Sequence, residues 1–138
     1  MPAGYSGTPL LQKLGIKPGH RLLFVQPPKD FAATLGALPD DTELVKPTAN
    51  RIDVILLFVQ SLAELKKRFA KQSKQLIANG ALWVCWPKKA SSVPTDLTEN
   101  VVRDHGLEMG LVDVKVCAVD ETWSGLKFVI RVADRKKA

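Results

Sequence analysis

Five side chains able to hold an anion, Lys88, Lys89, Ser91, Ser92 and Thr95, follow directly on an apolar run, Gly80-Ala81-Leu82-Trp83-Val84-Cys85-Trp86-Pro87. Ammonium groups supply charge and hydroxyls supply directed donors. The free amides of a helix starting after Thr95 would add partial positive charge, worth up to about 1 kcal/mol to a nearby anion. A second polar segment, Asp120-Glu121-Thr122-Trp123-Ser124, leaves another apolar run, and Gln26 with Lys29 leaves a third. In an open parallel sheet such segments converge beyond the carboxyl ends of the strands, where ligands bind. The expected ligand-binding edge is therefore Lys88, Lys89, Ser91, Ser92, Thr95, Asp120, Glu121 and Trp123. The same residues also have an architectural use. Lys88 or Lys89 could pair with Asp120 or Glu121 across the edge, an exposed pair worth about 0–1 kcal/mol, and Trp86 and Trp123 could cover the strand ends rather than stack on a ligand ring. Tyr5, in the polar segment Gly4-Tyr5-Ser6-Gly7-Thr8, is a candidate anchor for a lid over this edge, the alternative being a disordered tail.

Other chemistries lack their partners. His105 and Glu108 have no third ligand at metal-binding spacing, and His20 stands alone. Ser124, in Thr122-Trp123-Ser124-Gly125, does not sit in a nucleophile elbow and has no histidine placed to activate it. Cys85 and Cys117 lie in apolar strand-like runs, where a thiol behaves as a small inert hydrophobe. No phosphate loop of the Gly-x-x-x-x-Gly-Lys type is present. No catalytic residue, metal ligand or cofactor is assigned.

The elements that must position these residues follow from periodicity. A helical turn at 10–14 is broken by Gly15-Ile16-Lys17-Pro18-Gly19 before a strand at 21–26, and Asp30 can cap a brief helix ending near Leu35. A weak strand at 42–45 precedes the continuously apolar 53–59, a pattern of strands covered on both faces. Ser61 and Glu64 have capping-box spacing and open a helix predicted over 62–78, with Leu62, Leu65, Phe69 and Leu76 as its buried stripe and Asn79-Gly80 as a left-handed stop. A strand at 81–86, a helix from about Thr95 to His105 ending at Gly106, and a strand at 112–119 with one face partly wet come next. The link at 120–125 is too short for a crossover, so the last strand, 126–132, must return antiparallel. The expected fold is a single three-layer α/β, Rossmann-like domain with a mainly parallel sheet and an antiparallel C-terminal edge strand.

A length of 138 residues with 46% hydrophobic content fits one domain over 1–138, with a flexible N-terminal segment at 1–9 and a basic tail at 134–138. No apolar run is long enough to span a membrane and the N-terminus has no signal-peptide pattern, so a cytoplasmic monomer or weak homo-oligomer is expected. The formal charge of +6 is spread between the tail and Lys66, Lys67, Arg68, Lys71 and Lys74 on one helix. Such runs commonly keep a helix face wet. Nucleic-acid binding through Lys67, Lys71 and Lys74 is the lesser alternative.

The order of elements is similar to the second half and edge hairpin of class I methyltransferases, which use S-adenosylmethionine. Leu14-Gly15-Ile16-Lys17-Pro18-Gly19-His20-Arg21-Leu22-Leu23 looks like the lead into their first strand, and Gly80-Ala81-Leu82-Trp83-Val84 looks like their fifth. The resemblance implies a glycine-rich cofactor loop after the first strand and an acid after the second. This sequence has Gln26-Pro27-Pro28-Lys29 and Val45-Lys46-Pro47 there, and prolines offer no amide hydrogens. No cofactor residue is carried over. More closely, Ala3-Gly4-Tyr5-Ser6-Gly7-Thr8-Pro9-Leu10, the run from Trp86-Pro87-Lys88-Lys89 to Thr95-Asp96-Leu97-Thr98, and Val116 to Lys127 together resemble an uncharacterised bacterial family of small proteins, a domain of unknown function. The reading expected overall is a noncatalytic binding or regulatory module with an anion-accepting edge and a small anionic ligand. The alternative is a transferase-like enzyme with an unconventional cofactor site.

Overall fold

The computed structural model describes residues 9–135. Tyr5 and the proposed lid lie outside them, as do most of the N-terminal segment and the last three residues of the basic tail. Six strands form one mixed sheet in the order β2-β1-β3-β4-β6-β5, where β1 is Arg21–Val25, β2 Glu43–Leu44, β3 Ile52–Phe58, β4 Leu76–Pro87, β5 Leu111–Ala118 and β6 Trp123–Ile130. The pairs β1–β2, β1–β3 and β3–β4 are parallel, whereas β6 runs antiparallel to both β4 and β5. The C-terminal strand is thus antiparallel, as its short connection requires, and it sits one place in from the sheet edge, with β5 outermost.

Helices cover both faces. Strands β3 and β4 carry apolar residues on each side, so one face packs on α3 (Leu62–Lys74) and α4 (Glu99–Glu108) through Leu65, Phe69 and Val102. The other packs on α1 (Leu10–Leu14) and α2 (Phe31–Leu35) through Leu10, Leu14, Phe31 and Leu35. Helix α1 is docked by a long-range bond, as the buried Trp83 Nε1 donates to the Leu14 carbonyl at 3.1 Å. A last turn, α5 (Val132–Arg135), opens the basic tail.

Several boundaries differ from the periodicity. Helix α3 stops at Lys74, because Gln75 is captured by tertiary bonds: its Nε2 donates to the Pro47 and Ala49 carbonyls, each at 2.7 Å, and its Oε1 accepts from Gln72 Nε2 at 2.7 Å. Leu76 therefore belongs to β4 and not to the helical stripe. The ladder with β3 jumps from Ile52↔Leu76 to Val54↔Ala81, leaving residues 77–80 as an irregular stretch within the strand. Gly80 is not a left-handed stop, for its φ is not positive. It is required there by close approach, since a Cβ would lie 2.9 Å from the Ile52 carbonyl oxygen. Helix α4 begins at Glu99, and its cap is Thr98, whose Oγ1 accepts from the Val101 amide at 3.2 Å. The helix-start amides expected after Thr95 accordingly lie later in the chain. Gly106 sits inside α4 rather than at its end, and Asp30 gives α2 no side-chain cap bond. Strand β6 begins three residues before the expected 126, because Trp123 already pairs with Pro87. Among the described residues no helix is long and apolar enough to cross a membrane.

Candidate functional site

The chain leaves β1 for β2 on one side and returns to β3 on the other, so the sheet order reverses between β1 and β3. Beyond the carboxyl ends of two such strands the connections diverge and leave a crevice, the usual ligand position in open α/β sheets. A cavity of about 320 Å³ lies there, lined by Gln26, Phe58, Gln60, Glu64 and Trp123.

Each lining residue is held by a local cause. Gln26 follows β1 directly with φ 55°, a left-handed conformation that costs a side-chain-bearing residue about 1 kcal/mol. Its Nε2 donates to the Phe58 carbonyl at 2.9 Å and to Glu64 Oε2 at 3.2 Å. Glu64 lies in the first turn of α3; its Oε1 accepts from the Gln60 amide at 2.9 Å, and its own amide donates to Ser61 Oγ at 3.2 Å. This is a capping box displaced by one residue, because the returning carboxylate reaches Gln60 and not Ser61. Trp123 is backed by a file of edge-to-face rings, Phe24 on Phe31, Phe31 on Phe58 and Phe58 on Trp123, with centroids 5.0–5.2 Å apart.

The lysine-rich segment lies beside this crevice. Trp86, Pro87, Lys88, Lys89, Leu97, Thr98, Glu99 and Ser124 line a second cavity of about 270 Å³, and Pro87 is the register partner of Trp123. Lys88 is committed at both ends: its amide donates to the Thr122 carbonyl and its Nζ to the Asp120 carbonyl, each at 2.7 Å. The expected side-chain ion pair across the edge is thus replaced by bonds to backbone. The Asp120 carboxylate turns inward and accepts from the Thr122 and Trp123 amides at 2.8 and 2.7 Å. Ser91 Oγ donates to the Lys88 carbonyl at 2.6 Å, and Thr95 Oγ1 donates to the Gln60 carbonyl at 2.5 Å. Asp96 Oδ1 accepts from the Leu62 amide at 2.9 Å, which fastens the same loop to the start of α3. Lys89, Ser92 and Glu121 are exposed, and Ser92 is left-handed at φ 67°.

Of the residues expected from sequence, Trp123 lines the crevice and Lys88 and Lys89 line the adjoining groove, while Ser91, Thr95 and Asp120 hold the loops that shape them. Sequence reasoning did not assign Gln60 and Glu64 to a site. Their signal was available: Gln60 follows the end of β3 by two residues and Glu64 lies in the first turn of the helix that comes next. The thiols are unsuited to nucleophilic work, since burial pushes Cys85 well up, aided by Cys117 and Asp120. Burial raises Cys117 as well, against the opposing charges of Lys13, Lys115 and Lys88. Among the described residues no group of three or more His, Cys, Asp or Glu is placed to hold a metal ion.

The sequence matches no family model and no curated protein. Solved structures do match. An S-adenosylmethionine-dependent methyltransferase from Aquifex aeolicus aligns with TM-score 0.60 at 15% identity over 88% of each chain. An S-adenosylmethionine-dependent O-methyltransferase from Thermotoga maritima aligns at 0.57 and 8% identity, over 88% of this chain and 63% of that one. The fibrillarin pre-rRNA processing protein of Methanococcus jannaschii aligns at 0.51 and 10% identity, over 92% and 70%. At such identities the likeness concerns the path of the backbone, and it establishes the fold as a methyltransferase-like Rossmann sheet.

Proposed function

We propose that this chain is a noncatalytic binding or regulatory module whose ligand enters the crevice at Gln26, Gln60, Glu64 and Trp123 and extends toward an anion-accepting rim at Lys88 and Lys89. Ser91, Ser92, Thr95, Asp120 and Glu121 complete that rim. The observation carrying this reading is the coincidence of a cavity of about 320 Å³ with the strand-order reversal, beneath a residue held in a strained conformation. Membership of the small bacterial family that three segments resemble belongs to the same reading. A small-molecule screen by thermal shift and calorimetry tests it, with Trp123→Ala and Lys88→Ala/Lys89→Ala run alongside wild type. A ligand bound about tenfold more weakly by Trp123→Ala supports the crevice. Equal affinity in wild type and both variants rejects it.

The likeness of fold favours a transferase with an unconventional cofactor site as the second reading. Against it, Gln26-Pro27-Pro28-Lys29 offers few backbone donors to a cofactor after β1. Saturable binding of S-adenosylmethionine in the same calorimeter would favour the transferase. Nucleic-acid binding through the exposed Lys67, Lys71 and Lys74 of α3 ranks below both, and affinity that barely changes with salt would count against it.

A further inference from the structure

Lys127 on β6 and Lys115 on β5 are direct register partners. They occupy the sheet face covered by α1: the β4 residue opposite Lys127 is Trp83, whose indole is bonded to the last residue of α1. Three residues beyond that helix end comes Lys17. A single row across this face therefore runs from the end of α1 over Trp83 to Lys127 and Lys115. Like charges directly opposite on neighbouring strands oppose folding, and here one of the two is half-buried. Burial, then Lys115, then Lys17 hold the Lys127 ammonium below the ordinary lysine range. The charge of Lys13 also reaches this face, at Cys117. Among the described residues Lys17, Lys115 and Lys127 make no ion pair, and the pairs present there are made by Arg21, Arg103 and Arg131. The one acid of β5, Asp113, is held by Arg103 at 2.9 Å.

A folded chain that retains uncompensated repulsion at a half-buried position gains stability from any anion that binds there. We propose that Lys17, Lys115 and Lys127 form a binding site for a small, multiply charged anion of the phosphate type. The site is distinct from the crevice, since Lys127 lies four residues along β6 from Trp123, about 13 Å at strand spacing. A small polyanion fits better than a nucleic acid. The aromatic residue in the row, Trp83, is fully buried and offers no face on which a base could stack.

The experiment titrates inorganic tripolyphosphate into wild type, Lys115→Gln, Lys127→Met and Trp123→Ala, reading affinity by calorimetry and the unfolding midpoint by thermal shift. Wild type should bind and gain in midpoint. Lys115→Gln and Lys127→Met should each bind at least tenfold more weakly, while Trp123→Ala binds as wild type does. Without added anion, Lys127→Met should melt above wild type, and added tripolyphosphate should raise its midpoint less than that of wild type. Lys115 is exposed, so its replacement leaves the fold testable. Unchanged affinity in both lysine variants overturns the proposal. So does single-stranded oligothymidylate binding more tightly than tripolyphosphate through the same lysines. Lys88→Ala/Lys89→Ala, titrated in parallel, reports any anion held at the crevice rim, so failure of this site and failure of the crevice are told apart.

Discussion

Two adjacent residues of α4 show how much a single position can carry. Gly106 is spelled like a helix stop, yet it is buried in the helix interior, where an added Cβ would fall 2.0 Å from Cε1 of Phe128. That ring is itself fully buried and set edge-on to Phe69 at 5.4 Å, so it has no room to withdraw. Gly106→Ala should therefore destabilise the protein by about 1–3 kcal/mol despite alanine's better helix propensity, as read from urea unfolding. His105 is buried, its Nε2 has no hydrogen-bond partner, and its ring stands edge-on to Phe69 at 5.3 Å. Burial pushes its imidazole below the ordinary 6.5, with Glu108 opposing the shift and Lys66 adding to it. Since the folded state then binds fewer protons than the unfolded state, stability is complete above that ordinary value and declines as pH falls from it through the lowered folded value. Urea unfolding at several pH values should show this decline in wild type and a smaller one in His105→Phe. Neither role was legible in the sequence, because both depend on Phe69 and Phe128, which arrive from a different helix and from the last strand.

At the scale of elements, local patterning located the six strands and helices α1 to α4, missed α5, and misplaced the seams. Leu76 falls seven residues after Phe69, a spacing that suits a helical stripe as well as a new strand, and only the capture of Gln75 by the 47–49 loop decides between them. The capping box of α3 was readable, whereas its displacement onto Gln60, which turns Glu64 into a wall of the crevice, depends on how β3 ends. The wetting of β5 is not confined to the polar face that alternation marks: Val114 is 52% and Val116 43% exposed on the outermost strand, beside the exposed Lys115. An open edge of this kind invites pairing with a second copy, and a charged residue on it opposes such pairing. Lys115 occupies that position. We expect wild type to sediment as a monomer or a weak homo-oligomer, and Lys115→Val, which leaves an uninterrupted β-branched run from 114 to 116, to self-associate more strongly in sedimentation velocity.

For the molecule as a whole, the order of elements and the antiparallel return of the last strand were written in the chain, because apolar runs and connection lengths are local properties. The site was only half readable. The sequence draws the eye to Lys88 and Lys89, where charge is conspicuous, whereas the crevice opens between β1 and β3, a place defined by strand order alone. Charge behaves in the same way. The lysines crowded in sequence on α3 are exposed to solvent, while Lys115 and Lys127, twelve residues apart in the chain, stand opposite each other on one face of the sheet.

The place of β6 between β4 and β5 also bears on how the protein is made. Synthesis delivers β6 after the other five strands, yet it forms the neighbour of β4, which is buried from Gly80 to Pro87. Until residues 123–130 have emerged, a nascent chain holds this apolar strand with one row of amides and carbonyls unpaired and open to any passing strand. The β5–β6 hairpin then closes that row as a unit. The β6 segment thus acts as the seal of the sheet, and a premature stop within it would leave the product open to aggregation rather than merely shorter.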